Sequence, residues 1–146
     1  MAASLLLKLI ARITAFNIRN WSLRPIQTQE KQFKYLINSA KKTSFGTDHN
    51  FQKISSYKDF VNNVPVREYE GIRPYIERVK NGERNILWPE RPIYFALTSG
   101  TTSGSKYIPI TKESLKNHLN GAKNAILNYV DQTKKTSFIK GKFIFI

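Results

Sequence analysis

Cysteine is absent from the 146 residues, and histidine occurs only as His49 and His118. Without thiols there is no disulfide, no thiolate metal site and no Cys nucleophile, and the chain suits a reducing compartment such as the cytoplasm, its expected location. The two imidazoles have neither HxxxH nor HExxH spacing, which removes the usual helical zinc sites. Acid is also scarce: 10 Asp and Glu stand against 24 Lys and Arg, a formal charge of +14. Such a surplus attracts phosphates, acidic surfaces and other anions without choosing among them.

No uninterrupted apolar run is long enough to cross a bilayer. Residues 1–20 carry Leu5, Leu6, Leu7, Leu9, Ile10, Ile13, Phe16 and Ile18, but Lys8 and Arg12 fall inside the run. An amphipathic terminal helix, packing its apolar stripe on the rest of the domain, is therefore expected rather than a transmembrane segment. The same stretch has no acid before Glu30 and bases at Lys8, Arg12, Arg19 and Arg24, so it also reads as an organelle transit peptide.

What is present suffices for one core: 40% of the residues are apolar and 12% aromatic. Residues 28–85 read as mainly helical. Phe33, Leu36, Ile37 and Ala40 recur on one helical face, Gly46 is placed to end that helix, and Ser55-Ser56 caps a short turn of helix. Ile72, Tyr75, Ile76 and Val79 share a face over residues 67–80, with Pro74 in the first turn or dividing the helix. From Ile86 the texture changes to short β-prone runs, Ile86-Leu87-Trp88-Pro89 and Ile93-Tyr94-Phe95-Ala96-Leu97, the second predicted as a strand. A second strand is expected at residues 107–110, then a helix N-capped by Thr111 and running through Leu115, Leu119, Ala122, Ile126, Leu127 and Val130. The final Lys142-Phe143-Ile144-Phe145-Ile146 reads as a buried strand just begun, which suggests an incomplete domain.

Between the two strands lies Thr98-Ser99-Gly100-Thr101-Thr102-Ser103-Gly104-Ser105-Lys106, with six hydroxyl side chains, two glycines and one lysine in nine residues. Glycine allows positive φ and close backbone approach, hydroxyls and amides donate hydrogen bonds, and the lysine adds a charge, a combination suited to polyphosphate. It is not a Walker A loop: Gly100 and Gly104 are separated by three residues, and Tyr107 follows the lysine. Composition alone describes an ordinary exposed hairpin connection equally well.

The string itself goes further. Thr-Ser-Gly-Thr-Thr followed by glycine and lysine resembles the phosphate loop of the adenylate-forming superfamily, with Ser103 and Ser105 where glycine and proline are usual. The longer run from Phe95 to Pro109, together with Val64-Pro65-Val66-Arg67-Glu68-Tyr69-Glu70, Pro74-Tyr75-Ile76, Asn81-Gly82 and Thr43-Ser44-Phe45-Gly46, resembles the auxin-responsive acyl acid amido synthetases, which also have bacterial members. The resemblance implies an α/β fold: the N-terminal part of the large adenylate-forming domain, helices first, then strands flanking a phosphate-binding loop. It implies that Ser99, Gly100, Thr101, Thr102, Ser103, Gly104 and Lys106 bind ATP, with Mg2+ carried by the nucleotide. It implies activation of a carboxylic acid as an acyl-adenylate and transfer to an amino acid, or to CoA in a ligase of the same superfamily. The adenine contacts, acyl pocket and mobile C-terminal domain of that family have no counterpart in the sequence, so the chain alone is expected to be inactive.

Other residues invite weaker readings. The bases at Lys41-Lys42, Arg67, Arg73, Arg78, Lys80, Arg84, Lys134-Lys135, Lys140 and Lys142 are spread out, without a nucleic-acid-binding motif, and read as solvated faces. A basic module that binds nucleic acid or an anionic membrane through the N-terminal helix is the alternative from another class. Trp21 and Trp88 read as packing residues, His118 as a surface residue, and Glu68 with Glu70 as no acid/base pair.

Overall fold

The structure, a computed structural model, describes residues 2–98 and 104–141. They form α1 (Ala2–Ser22), α2 (Pro25–Ala40), α3 (Ser44–Asp48), α4 (Tyr57–Asn63), α5 (Tyr69–Lys80), β1 (Tyr94–Thr98), β2 (Lys106–Ile110) and α6 (Lys112–Thr133), with 3-10 turns at Phe51–Lys53 and Ser137–Lys140. The described residues are thus mostly helical, with one two-stranded antiparallel sheet. The chain divides into two units, Gln29–Leu115 and the pair of segments Met1–Thr28 and Lys116–Ile146.

The first unit has its core where Ile37, Ala40, Phe51 and Ile54 are buried, with Phe33, Phe45, Phe60, Val64 and Trp88 packed around them. Phe33 meets Phe60 edge-on at 5.8 Å, and Phe45 meets Phe51 edge-on at 5.9 Å, the geometry that ring quadrupoles favour. The α2 stripe is narrower than its periodicity predicts, because Leu36 remains 44% exposed.

Local side-chain chemistry starts α3, α4 and α6. Ser56 caps α4: its hydroxyl accepts the Asp59 N–H at 3.2 Å while the Asp59 carboxylate accepts the Ser56 N–H at 2.9 Å. Thr111 does the same for α6, its Oγ1 accepting the Ser114 N–H at 3.1 Å while Ser114 Oγ accepts the Thr111 N–H at 2.9 Å. Helix α5 runs through Pro74, which forfeits one bond to the exposed Glu70 carbonyl, because Ile76 and Val79 anchor the helix inside.

The reading of Gly46 as a helix end is corrected, and the β-prone run from Ile86 to Pro89 finds its own conformation. Gly46 does not end the preceding helix: α2 stops at Ala40, Thr43 caps α3, and Gly46 is buried inside α3 against the Ala40 carbonyl. The run from Ile86 to Pro89 forms no strand. Its flanks, Asn85 (φ 56°) and Glu90 (φ 66°), are left-handed, and the carbonyls of Asn85 and Ile86 accept the N–H groups of Ser44 and Phe45 at 2.8 and 2.9 Å. The segment is thereby tied to α3 as an irregular strap with Ile86 buried.

In the second unit α1 and α6 bury Ala11, Leu127 and Val130, with Leu7 and Phe138 packed against them. Ser4 Oγ and Thr136 Oγ1 are hydrogen-bonded at 2.9 Å. The buried stripe of α1 is its small one, Ala11 and Ala15, which lets another backbone approach closely. The bulky side chains face outward, Leu5 at 73%, Phe16 at 61% and Leu6 at 59% exposure, reversing the apolar stripe expected of this helix. The strand expected at residues 142–146 lies outside the described residues.

Candidate functional site

The hairpin is built from β1 and β2 in the register Tyr94↔Ile110 through Thr98↔Lys106. Thr98 and Lys106 are therefore the last cross-strand pair before the connection. Of the residues expected to bind phosphate, Ser99, Gly100, Thr101, Thr102 and Ser103 lie outside the described residues, while Gly104 and Lys106 are described. Gly104 has φ 80°, the left-handed region, and among the described residues nothing lies within 4 Å of where a Cβ would stand. No described side chain thus crowds its backbone at the exit of the loop, which suits close approach of a ligand.

Lys106 opens β2 half-buried, with its Nζ 5.7 Å from the centroid of the Tyr69 ring. Among the described residues no carboxylate pairs with it, whereas Lys80, also near this strand, is held by Glu77 at 2.9 Å. The free cation of the site is thus Lys106 among the described residues.

Tyr107, next along β2, is fixed from three sides. Its N–H donates to the Tyr69 hydroxyl at 2.9 Å, its ring lies 4.1 Å from Lys80 Nζ, and Phe95 meets the ring edge-on at 6.1 Å. Tyr69 and Lys80 are the first and last residues of α5, so the helix lies along the strand that leaves the loop. Periodicity placed the helix but not these contacts, because Tyr69 and Tyr107 are 38 residues apart.

A second polar cluster surrounds His49, which is 6% exposed. Its Nε2 accepts from Arg67 Nη2 at 2.9 Å, leaving Nδ1 as the donor to the Phe45 carbonyl at 2.7 Å, and Phe45 stacks on the ring at 4.0 Å. Beside it the Tyr75 hydroxyl donates to Asp48 at 2.7 Å; burial first, then that bond, raises the phenol pKa. The bond between Asp48 and Tyr75 ties α3 to α5, and Arg67 fastens His49 from the residue before the α5 N-cap.

The remaining candidates sit as structure dictates. His118 is exposed, Trp88 packs on the core, Trp21 is half-exposed, and Glu68 stands at the N-cap of α5 with Glu70 one turn position inside. Among the described residues no group of His, Asp and Glu could hold a metal ion, and no helix is long and apolar enough to cross a membrane.

A mostly helical chain whose two-stranded hairpin ends on Lys106, with no carboxylate partner among the described residues, at a Ser/Thr/Gly connection defines the class, and comparison with known proteins defines the family. The GH3 family N-terminal domain matches residues 15–144, and the chain belongs to the GH3 family. It is 48% identical over 64 residues to indole-3-acetic acid-amido synthetase GH3.15 of Arabidopsis thaliana, covering 42% of this chain and 11% of that protein. Over 113 residues it is 31% identical to indole-3-acetic acid-amido synthetase GH3.5 of the same plant, covering 75% of this chain and 17% of the relative. The 4-substituted benzoates-glutamate ligase GH3.12, also from Arabidopsis thaliana, is 43% identical over 60 residues, 40% of this chain and 10% of that protein. The chain therefore matches less than a fifth of the length of each of these relatives.

Proposed function

We propose that the hairpin carries the nucleotide-phosphate loop of an acyl acid amido synthetase of adenylate-forming type. The loop hydroxyls and amides of Ser99, Gly100, Thr101, Thr102, Ser103 and Gly104 would donate to the phosphates of ATP, and Lys106 would offset their charge. The observation that supports this reading is Lys106: half-buried, at the loop exit, beside the open backbone of Gly104, and without a carboxylate partner among the described residues. Both described members of the proposed set thus suit an anion. Mg2+ would arrive with the nucleotide.

In the proposed reaction a substrate carboxylate oxygen attacks the α-phosphorus of ATP, and pyrophosphate departs with the electrons of the broken P–O bond. An amino acid nitrogen then attacks the acyl carbon, and AMP leaves. Such a sequence needs positioning and charge stabilisation rather than a protein nucleophile, which agrees with a chain that has no cysteine. The names of the relatives, amido synthetases and a glutamate ligase, favour an amino acid over CoA as acceptor and an aromatic carboxylic acid as the activated partner.

The test is exchange of labelled pyrophosphate into ATP by the full-length protein, with indole-3-acetic acid and 4-substituted benzoates as probes. Lys106→Ala should slow exchange about tenfold or more, the scale of one charge-assisted contact in a shielded site. Unchanged exchange in that variant would remove the loop assignment. A CoA thioester as product, with no amide, would move the protein to the acyl-CoA ligases.

A further inference from the structure

We infer that Tyr69 is the positioning residue for Lys106: one side chain holds both the ammonium and the strand that carries it. This rests on the proposed role of the loop and adds a residue outside it. The hydroxyl of Tyr69 accepts the Tyr107 N–H at 2.9 Å, on the side of β2 that turns away from β1, and lies 3.5 Å from the Tyr107 carbonyl. The same phenol ring faces Lys106 Nζ at 5.7 Å, within the range where a cation is drawn to an aromatic face.

Two features set this apart from ordinary packing. Tyr69 belongs to neither buried cluster, so its ring is not a core element. A two-stranded hairpin is also marginal by itself, and here the free edge of its second strand is held by a phenol one residue beyond the loop-exit lysine. Lys80 reinforces the arrangement from the far end of α5 by clamping the Tyr107 ring, its own charge already shared with Glu77. Lys106 is left with its backbone fixed and, among the described residues, no carboxylate matching its charge, the state in which a phosphate contact needs least reordering.

The experiment measures MgATP binding to the full-length protein by calorimetry, for wild type, Tyr69→Phe, Tyr69→Leu, Lys106→Ala and the double variant Tyr69→Leu/Lys106→Ala. Tyr69→Phe, which keeps the ring and loses the hydroxyl, should weaken MgATP about threefold with an unchanged melting temperature. Tyr69→Leu, which loses both, should weaken it about tenfold. In the Lys106→Ala background the Tyr69→Leu change should cost less than about twofold, because a residue acting through Lys106 has nothing left to position. Full additivity, or wild-type affinity in Tyr69→Leu, overturns the assignment while leaving the loop reading intact. Should Tyr69→Leu fail to fold, Tyr69→Phe decides alone, and wild-type affinity there overturns it. Unaltered MgATP affinity in Lys106→Ala, or none in wild type, removes the loop reading itself and this inference with it.

Discussion

Gly46 turns its unsubstituted α-carbon onto the carbonyl oxygen of Ala40, so the turn between α2 and α3 closes only without a side chain there. A methyl group would meet backbone, which cannot swing aside as a side chain does. Gly46→Ala should therefore destabilise by about 2–3 kcal/mol, the upper range for overpacking, read as a lowered denaturation midpoint. A midpoint equal to wild type would mean that α3 can shift away from α2.

Thr43 fastens the same corner. It is 1% exposed, its hydroxyl donating to the Ala40 carbonyl at 2.7 Å and accepting the Gly46 N–H at 3.0 Å. Thr43→Val keeps the shape and leaves that buried N–H without its acceptor, an expected loss of about 1–3 kcal/mol. Thr43→Ser, which restores the acceptor, should recover most of it in the same chemical melt.

Asp59 gives the fold a pH dependence. Hydrogen bonds from the Ser55 hydroxyl and N–H, then from Ser56, hold its carboxyl at about 2, below the ordinary 3.8. A depressed folded-state value means that the contribution is complete above about pH 4 and is lost as pH falls toward 2. Melting curves of wild type and Asp59→Asn should be separated at pH 6 and converge between pH 4 and pH 2. A separation that widens on acidification would contradict the sign.

Gly104 separates backbone strain from lost contact. Its φ of 80° strains any L side chain, yet no described residue crowds it. Gly104→Ala should cost about 1–2 kcal/mol locally. Because the position sits at the loop exit, the full-length protein should lose MgATP affinity about fivefold or more, the scale of that strain. An affinity equal to wild type would show that Gly104 can change conformation without disturbing the ligand.

Where chemistry is local, the sequence was a good guide. Ser55-Ser56 before a short helix, Thr111 before an amphipathic run, and apolar runs on either side of the Ser/Thr/Gly connection all act over a few residues, and each lies where it was expected or within a residue or so. Gly46 misled because a glycine after a basic pair suits a helix end equally well as a close backbone approach, and only the folded path from Ala40 to Thr43 decides between them. The run from Ile86 to Pro89, β-prone but not predicted as a strand, shows the limit of that signal: β-prone side chains say nothing about whether a ladder partner is available, and its carbonyls found α3 instead. For α1, composition named the apolar residues correctly but assumed that bulk is buried, whereas Ala11 and Ala15 make the contact. Tyr69 left no signal at all, since its partner is remote in sequence.

The pairing of α1 with α6 ties Ser4 to Thr136 across 132 positions, while the Gln29–Leu115 unit contains all of its own core. During synthesis α1 is therefore made well before its partner α6. At roughly 5–20 residues per second, Ala11 waits some seconds for Leu127 and Val130 to be made. Through that interval α1 lacks its α6 partner and leaves the apolar side chains of that contact open to whatever surrounds the ribosome. A holdase that recognises short leucine-rich helices would find its window there, and the window closes when α6 arrives.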